Sequence, residues 1–139
     1  TTPAPDGIGL KNAVMHAMKD AAVTKQDLAF INAHGTGTHD NDLTESKVFN
    51  ELLKDVPVMA SKSHTGHTLG AAGAIEAILS LIALNKKEIP KASNFKEFDE
   101  EINFVPVVEN TKTEKHVALS DSLAFGGVNS VIILGDKNA

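Results

Sequence analysis

The chain has 139 residues, of which 42% are hydrophobic, with a formal net charge of -5 and no cysteine. That length buries one core, the acidic balance with scattered lysines excludes a binder of nucleic-acid phosphates, and the missing thiol excludes disulfides, thiolate metal sites and a cysteine nucleophile of its own. No apolar run reads as the roughly 18 residues of a membrane span, no secretory signal is recognisable, and six Phe with neither Trp nor Tyr offer no stacking platform for bases. The expectation is a cytoplasmic protein with no nucleic-acid and no membrane partner.

Residues 1–8 lack periodicity and read as a loop, or as the middle of something larger. Apolar residues at helical spacing predict a helix over 10–22. A turn at 24–27 leads to a buried strand over 28–33, which ends in His34-Gly-Thr-Gly-Thr38. A second helix is expected over 42–53, with acidic residues at its start where the helix dipole favours them. A short strand at 56–60 runs into Lys62-Ser-His-Thr-Gly-His67. The helix over 69–84 pairs a small face, Gly70 to Ala74, with Ile75, Ile78, Leu79, Ile82 and Leu84. Its two early glycines each cost about 1 kcal/mol relative to Ala, which implies that another backbone passes close by. Residues 86–101 read as a charged surface excursion. Three β-rich runs follow at 104–108, 117–122 and 129–134, the last two flanking Leu123-Ala-Phe-Gly-Gly-Val128 as a hairpin. Helices alternating with strands, then a β-rich end, predict a layered α/β fold with a mixed sheet and a C-terminal β-hairpin.

The chemistry sits in the two turns. Each follows a strand, so together they bring His34, Lys62 and His67 to one end of a sheet, where α/β proteins bind ligands. Two neutral imidazoles offer hydrogen bonds to a developing oxyanion and a lysine adds fixed positive charge, a composition suited to acyl transfer. Gly35 and Gly37 let the first turn bend tightly, and Thr36 and Thr38 place hydroxyls beside it. A zinc site from His64 and His67 with His39, Asp42 or Glu45 has no recognised ligand spacing, so no metal is expected and His64 is read as a bystander. Neither turn reads as a phosphate loop. Phe125-Gly-Gly127 fits either an ordinary hairpin turn or a lid on a pocket.

Three motifs, Asn32-Ala-His-Gly-Thr-Gly-Thr38 with Asp42 and Glu45, Lys62-Ser-His-Thr-Gly-His67 with Gly70-Ala-Ala-Gly-Ala-Ile-Glu76, and Leu119-Ser-Asp-Ser-Leu-Ala-Phe-Gly-Gly127 with Asn129, occur in that order over nearly the whole chain. Together they resemble the β-ketoacyl-acyl-carrier-protein synthases, mainly the elongating type of fatty acid synthesis, with a polyketide-ketosynthase tint in His34 to Thr38. The resemblance implies a thiolase-like fold of two similar α/β halves, and residues 1–139 are similar to the C-terminal half alone. The nucleophilic cysteine then belongs to an N-terminal half, making this chain a fragment or one piece of a split enzyme. The implied partners are that half, an acyl carrier protein and a second copy in a homodimer. No cofactor is implied beyond the phosphopantetheine that carries the substrate.

By matched position, His34 and His67 are expected to hydrogen-bond a malonyl thioester carbonyl and stabilise the enolate left by decarboxylation. Lys62 is expected to keep them neutral, held by Glu45 with Asp42 close by, while Glu76 organises water. Thr36 and Thr38 match contacts to the pantetheine arm, and Phe125 matches a gate whose loop Gly126 and Gly127 free to move. The chain departs from the family at Asp121, Leu123 and Ala124, where Asn, Phe and Gly are usual, and at His39 and His64. The alternative is a non-catalytic subunit, like a chain-length factor or a carrier-docking module. The presence of His34, Lys62 and His67 together favours the enzyme.

Overall fold

The computed structural model describes residues 3–139. Its elements, in chain order, are helix α1 (Ile8–Asp20), strand β1 (Leu28–Asn32), helix α2 (His39–Leu52), strand β2 (Val58–Met59), a short helix α3 (Lys62–Thr65), helix α4 (Ala72–Lys86), strands β3 (Glu88–Ile89) and β4 (Thr111–Lys112), and the hairpin β5 (Val117–Ala124) and β6 (Val128–Gly135). A single 3-10 turn, Leu69–Ala71, leads into α4.

The main sheet has the order β2-β1-β5-β6. β1 pairs in parallel with β2 on one side and with β5 on the other, and β5 and β6 run antiparallel. All five residues of β1 are buried, which is what a central strand covered on both faces requires, and it explains an unbroken apolar run instead of an alternating one. On one face, Leu10 and Val14 of α1 and Val48 and Phe49 of α2 pack on Leu28, Ile31 and Leu119. On the other, Ala83 and Leu84 of α4 pack on Ala29, Phe30 and Ala118. A register irregularity between Leu28 and Phe30 lets the adjacent Ala29 and Phe30 serve the same face. Gly7 begins α1 at φ 64, and a Cβ there would stand 2.7 Å from Val48 Cγ2, so this close approach of α1 to α2 needs glycine.

Several elements differ from the sequence expectation. The run 104–108 forms no strand: Pro106 lacks the N–H a ladder needs, and Val107 alone reaches β2, donating to Val58 O at 2.8 Å. The excursion is not wholly irregular, since β3 pairs with β4. The lysine turn is wound into α3. No backbone crowds the glycines of the fourth helix region: a Cβ on Gly70 would meet nothing within 4 Å, and one on Gly73 would make an ordinary 3.5 Å contact with Ser122 Oγ.

The stretch Leu69–Lys86 is 18 residues long with a mean hydropathy of 1.4, enough by length and composition alone to cross a membrane, contrary to the reading of its sequence. In the fold its α4 portion lies on the sheet with Glu76 and Ser80 buried, while Ile78 and Ile82 stand exposed. Asn32 ties it there, donating to Ser80 Oγ at 3.1 Å and to Glu76 O at 3.2 Å while its own Oδ1 accepts the Ser61 N–H at 3.3 Å. One fully buried amide thus joins β1, α4 and the start of α3.

Candidate active site

Because β1, β2 and β5 are parallel, their C-terminal ends share one edge of the sheet, and three segments meet there: the turn after β1, helix α3 after β2, and the distal part of β5. Gly35 has φ 50, and a Cβ on it would press on Ala60 Cβ at 3.0 Å, so this tight turn admits glycine alone without strain. The main chain of the turn is held by two carboxyls: Gly35 N–H donates to Glu45 Oε2 at 2.8 Å and His34 N–H to Asp121 Oδ1 at 3.3 Å. Asn41, one helical turn before Glu45 on α2, donates to the same Glu45 oxygen.

With its backbone fixed, the buried His34 ring presents Nδ1 to the Lys62 ammonium, which donates to it at 3.2 Å. An ammonium has no acceptor. Nδ1 is therefore the unprotonated nitrogen, and the ring proton resides on Nε2. Burial, reinforced by the positive charge of Lys62 and by His67, lowers the His34 pKa to about 4, so the ring is neutral at pH 7. His67 stands edge-on to it, with ring centroids 5.4 Å apart and planes at 89°. Its Nδ1 accepts the Leu69 N–H at 3.1 Å, which leaves Nε2–H as its donor too. Two imidazoles on separate turns thus reach the same tautomer by different means, each with a free Nε2–H.

Lys62 pairs with Glu76, and both side chains are almost wholly buried. This corrects the expectation that Glu45 and Asp42 hold the lysine. Glu45 is turned to Gly35 and Asn41, and Asp42 accepts from Asn41 at 3.1 Å, whereas α4 lays Glu76 directly against the lysine. Burial pushes the Glu76 carboxyl up and the lysine opposes that shift. Burial pushes the carboxyls of Glu45 and Asp121 up as well.

A cavity of about 520 Å³ opens on this site. Lys62, His67 and Thr36 line its polar side, and Phe95, Ile102 and Phe104, all between β3 and β4, line its apolar wall. Thr36 shares a hydrogen bond of 2.9 Å with the exposed Thr38, which lies outside the lining. The excursion is held over the cavity by His64, whose Nε2 donates to Lys91 O at 2.7 Å and whose Nδ1 accepts the Ser93 hydroxyl at 2.9 Å. His64 is therefore a tether and not a bystander. His39 is exposed, and its hydrogen bond to Glu101, at 3.1 Å, raises its pKa. Phe125 is not brought into the site: with Gly126 and Gly127 it forms the β5–β6 turn, 77% exposed and outside the cavity lining. Among the described residues no three His, Cys, Asp or Glu side chains are grouped to hold a metal ion.

Sequence reasoning missed the parts that make the site rigid. Asn32 opened the first motif with no role assigned to it, and Asn41 and Ser80 stood in no motif. Glu76 carried a usable signal, as the sole charged residue within an otherwise apolar helical stretch.

A sheet edge with two Nε2–H donors and a buried lysine beside a cavity marks the functional end of an α/β domain. Comparison with known proteins gives the family. Residues 1–96 match the model described as the β-ketoacyl synthase, C-terminal domain, and the chain belongs to that family. It is 39% identical over 139 aligned positions to a 3-oxoacyl-[acyl-carrier-protein] synthase 2 of Staphylococcus aureus, covering 96% of this chain and 34% of that protein. The counterpart from Synechocystis sp. is 37% identical over 135 positions, with 93% of this chain and 32% of that protein covered. Among solved structures, the ishigamide ketosynthase/chain length factor matches with a TM-score of 0.89 at 35% identity, over 96% of this chain and 34% of that one. The fold is thus the thiolase-like α/β fold, and the chain spans about a third of the length of the curated relatives it matches.

Proposed function

We propose that this chain supplies the histidine and lysine part of a β-ketoacyl-acyl-carrier-protein synthase, acting with a cysteine nucleophile contributed from outside these residues. One observation carries the reading: His34 and His67 lie 5.4 Å apart with their Nε2–H donors free, and Lys62 is fixed 3.2 Å from His34. In the reaction, a malonyl thioester places its carbonyl oxygen between the two donors. The bond to the free carboxylate breaks, carbon dioxide leaves, and the electron pair moves onto the carbonyl oxygen as an enolate, which both N–H groups stabilise. The enolate carbon then attacks the acyl thioester on the cysteine, forming the new carbon–carbon bond and expelling the thiolate. A neutral His34 suits this role, because an imidazolium would compete for the departing carboxylate. Lys62 disfavours protonation of His34 by like charge, and Glu76 holds the lysine in place.

The substrate is proposed to arrive on the phosphopantetheine arm of an acyl carrier protein, with Thr36 of the cavity lining and its hydrogen-bond partner Thr38 as contacts. The S. aureus relative is named for a carrier-protein substrate, which supports this. A cytoplasmic homodimer completes the proposed assembly. A non-catalytic chain-length-factor role has no use for a buried lysine seated against an unprotonated imidazole nitrogen.

The test is carbon dioxide release from malonyl-carrier protein by the assembled, cysteine-containing enzyme. His34→Ala and His67→Ala should each lose about 2.7–4 kcal/mol of transition-state stabilisation, a rate loss of about 100-fold to 1,000-fold. Decarboxylation near the wild-type rate in both variants contradicts the assignment.

A further inference from the structure

Helix α3 has four residues, too few to be held by its own hydrogen bonds, and there is open space against two sets of its side chains. Lys62 and Ser63 line the cavity at the active site, while Ser61, His64 and Thr65 line a second cavity of about 300 Å³. Its anchors are therefore polar. The buried Lys62 is paired with Glu76 of α4. The next two residues clasp the start of the segment between β3 and β4: Ser63 Oγ accepts the Ser93 N–H at 2.9 Å, His64 Nδ1 accepts the Ser93 hydroxyl at 2.9 Å, and His64 Nε2 donates to Lys91 O at 2.7 Å. The end of that segment holds the same residues from the other side, with Lys91 N–H donating to Asn110 Oδ1 at 3.0 Å and Ala92 N–H to Val107 O at 2.7 Å. Directly after the clasp, Asn94 turns the chain at φ 67, a left-handed conformation that Asn tolerates, and Phe95 follows on the cavity wall. A small rotation at Ser93 thus swings Phe95.

We propose that His64 is a positioning residue for the substrate cavity: together with Ser63 it locks the Ser93–Asn94 turn, and through that turn it sets how far Phe95 stands over the cavity. A histidine suits the task because one neutral ring donates and accepts at once, reaching Lys91 and Ser93 with its two nitrogens. An apolar side chain at this position holds neither. Two unequal anchors decide which side gives when the clasp is lost. The Lys62–Glu76 pair is almost wholly buried, whereas His64 is exposed and its hydrogen bonds compete with water. Helix α3 therefore stays with Glu76, and the segment carrying Phe95 moves. His64 governs how well the cavity binds and leaves the surroundings of His34 alone. The lock on the turn is independent of the condensing reaction; the identity of the cavity's occupant, a carrier-bound malonyl group, rests on that reading.

The experiment uses the assembled, cysteine-containing enzyme with malonyl-carrier protein, and compares the wild type with His64→Leu, His64→Gln and Ser93→Ala. The readouts are the steady-state kinetics of carbon dioxide release, amide hydrogen exchange, and 15N NMR of the His34 ring. His64→Leu should raise KM by about tenfold, the loss expected for its hydrogen bonds, with kcat unchanged and the His34 midpoint still at about 4. Exchange at the Ala92 and Ser93 amides should quicken by about the same factor. His64→Gln, whose amide still reaches Lys91 O, should recover part of the loss, and Ser93→Ala should raise KM by less than His64→Leu does. Unchanged exchange at residues 92 and 93 in His64→Leu overturns the proposal. So does faster exchange with an unchanged KM, which would mean that the wall does not meet the substrate. A lower kcat with a shifted His34 midpoint also overturns it, because α3 would then be the part that moves. Should His64→Leu fail to fold, Ser93→Ala decides on the same readouts. An assembly in which the wild type releases no carbon dioxide refutes the condensing function instead, and hydrogen exchange still tests the lock.

Discussion

The two histidine turns present the same hydrogen-bond donor by opposite means. His34 is buried, and distant elements fix its surroundings: β5 holds its N–H, α2 holds the N–H of its neighbour Gly35, and α3 reaches its Nδ1 through a lysine that α4 holds. His67 is exposed, and its Nδ1 is set locally by the N–H of Leu69, two residues on. The tautomer is the same, but the energetic investment differs. In the first turn a network of buried polar groups fixes the ring, and every member left without its partner carries a desolvation cost. In the second, little of the fold depends on the ring. The comparison separates two properties that an active-site residue usually confounds, its contribution to the reaction and its contribution to the fold.

Substitution sharpens that contrast. Lys62→Met strips Glu76 of its partner, and breaking a buried pair from one side costs about 3–5 kcal/mol, to be read as a lower midpoint of denaturant unfolding. The same change removes the like charge facing His34, so the His34 titration midpoint should rise. An unchanged His34 midpoint in that variant contradicts the electrostatic role assigned to the lysine. His34→Ala is next: it removes one of the two acceptors of the buried lysine and leaves Glu76 as the other, at a cost of about 1–3 kcal/mol of stability. His67→Ala should fall within about 0.5 kcal/mol of wild type, as exposed substitutions do, although both histidine variants lose decarboxylation. Equal stability losses at His34 and His67 would erase the distinction between the two turns.

Much of the fold was legible. The strand at 28–33, the helices at 10–22 and 42–53 and the terminal hairpin lie within a few residues of β1, α1, α2 and β5–β6, because their apolar periodicity is also their burial pattern. The run at 104–108 misled because valines and Phe104 carry strand propensity while Pro106 denies the ladder its donor. In the site, His34, Lys62 and His67 were legible from their two turns, and the structure brings them together. The partner of Lys62 was not. Choosing among Asp42, Glu45 and Glu76 depends on which face α2 and α4 turn toward the sheet edge, and the small-residue face of the fourth helix suggested a passing backbone, whereas its buried stripe carries Glu76 and Ser80. Phe125 read equally as turn or lid, and the hairpin geometry places it in solvent.

The pH response of His34 tests the network that distinguishes its turn. Its folded pKa lies below the value of about 6.5 for an unfolded histidine. Its neutral form therefore contributes stability that is present above about pH 6.5 and is lost as pH falls toward 4, since the unfolded chain binds the proton that the folded one refuses. The most direct measurement is 15N NMR of the imidazole nitrogens of His34 across that range. The account predicts a neutral ring at pH 7 with the proton on Nε2, an unprotonated Nδ1 facing Lys62, and a midpoint of about 4. An imidazolium at pH 7, or a neutral ring protonated on Nδ1, would contradict it.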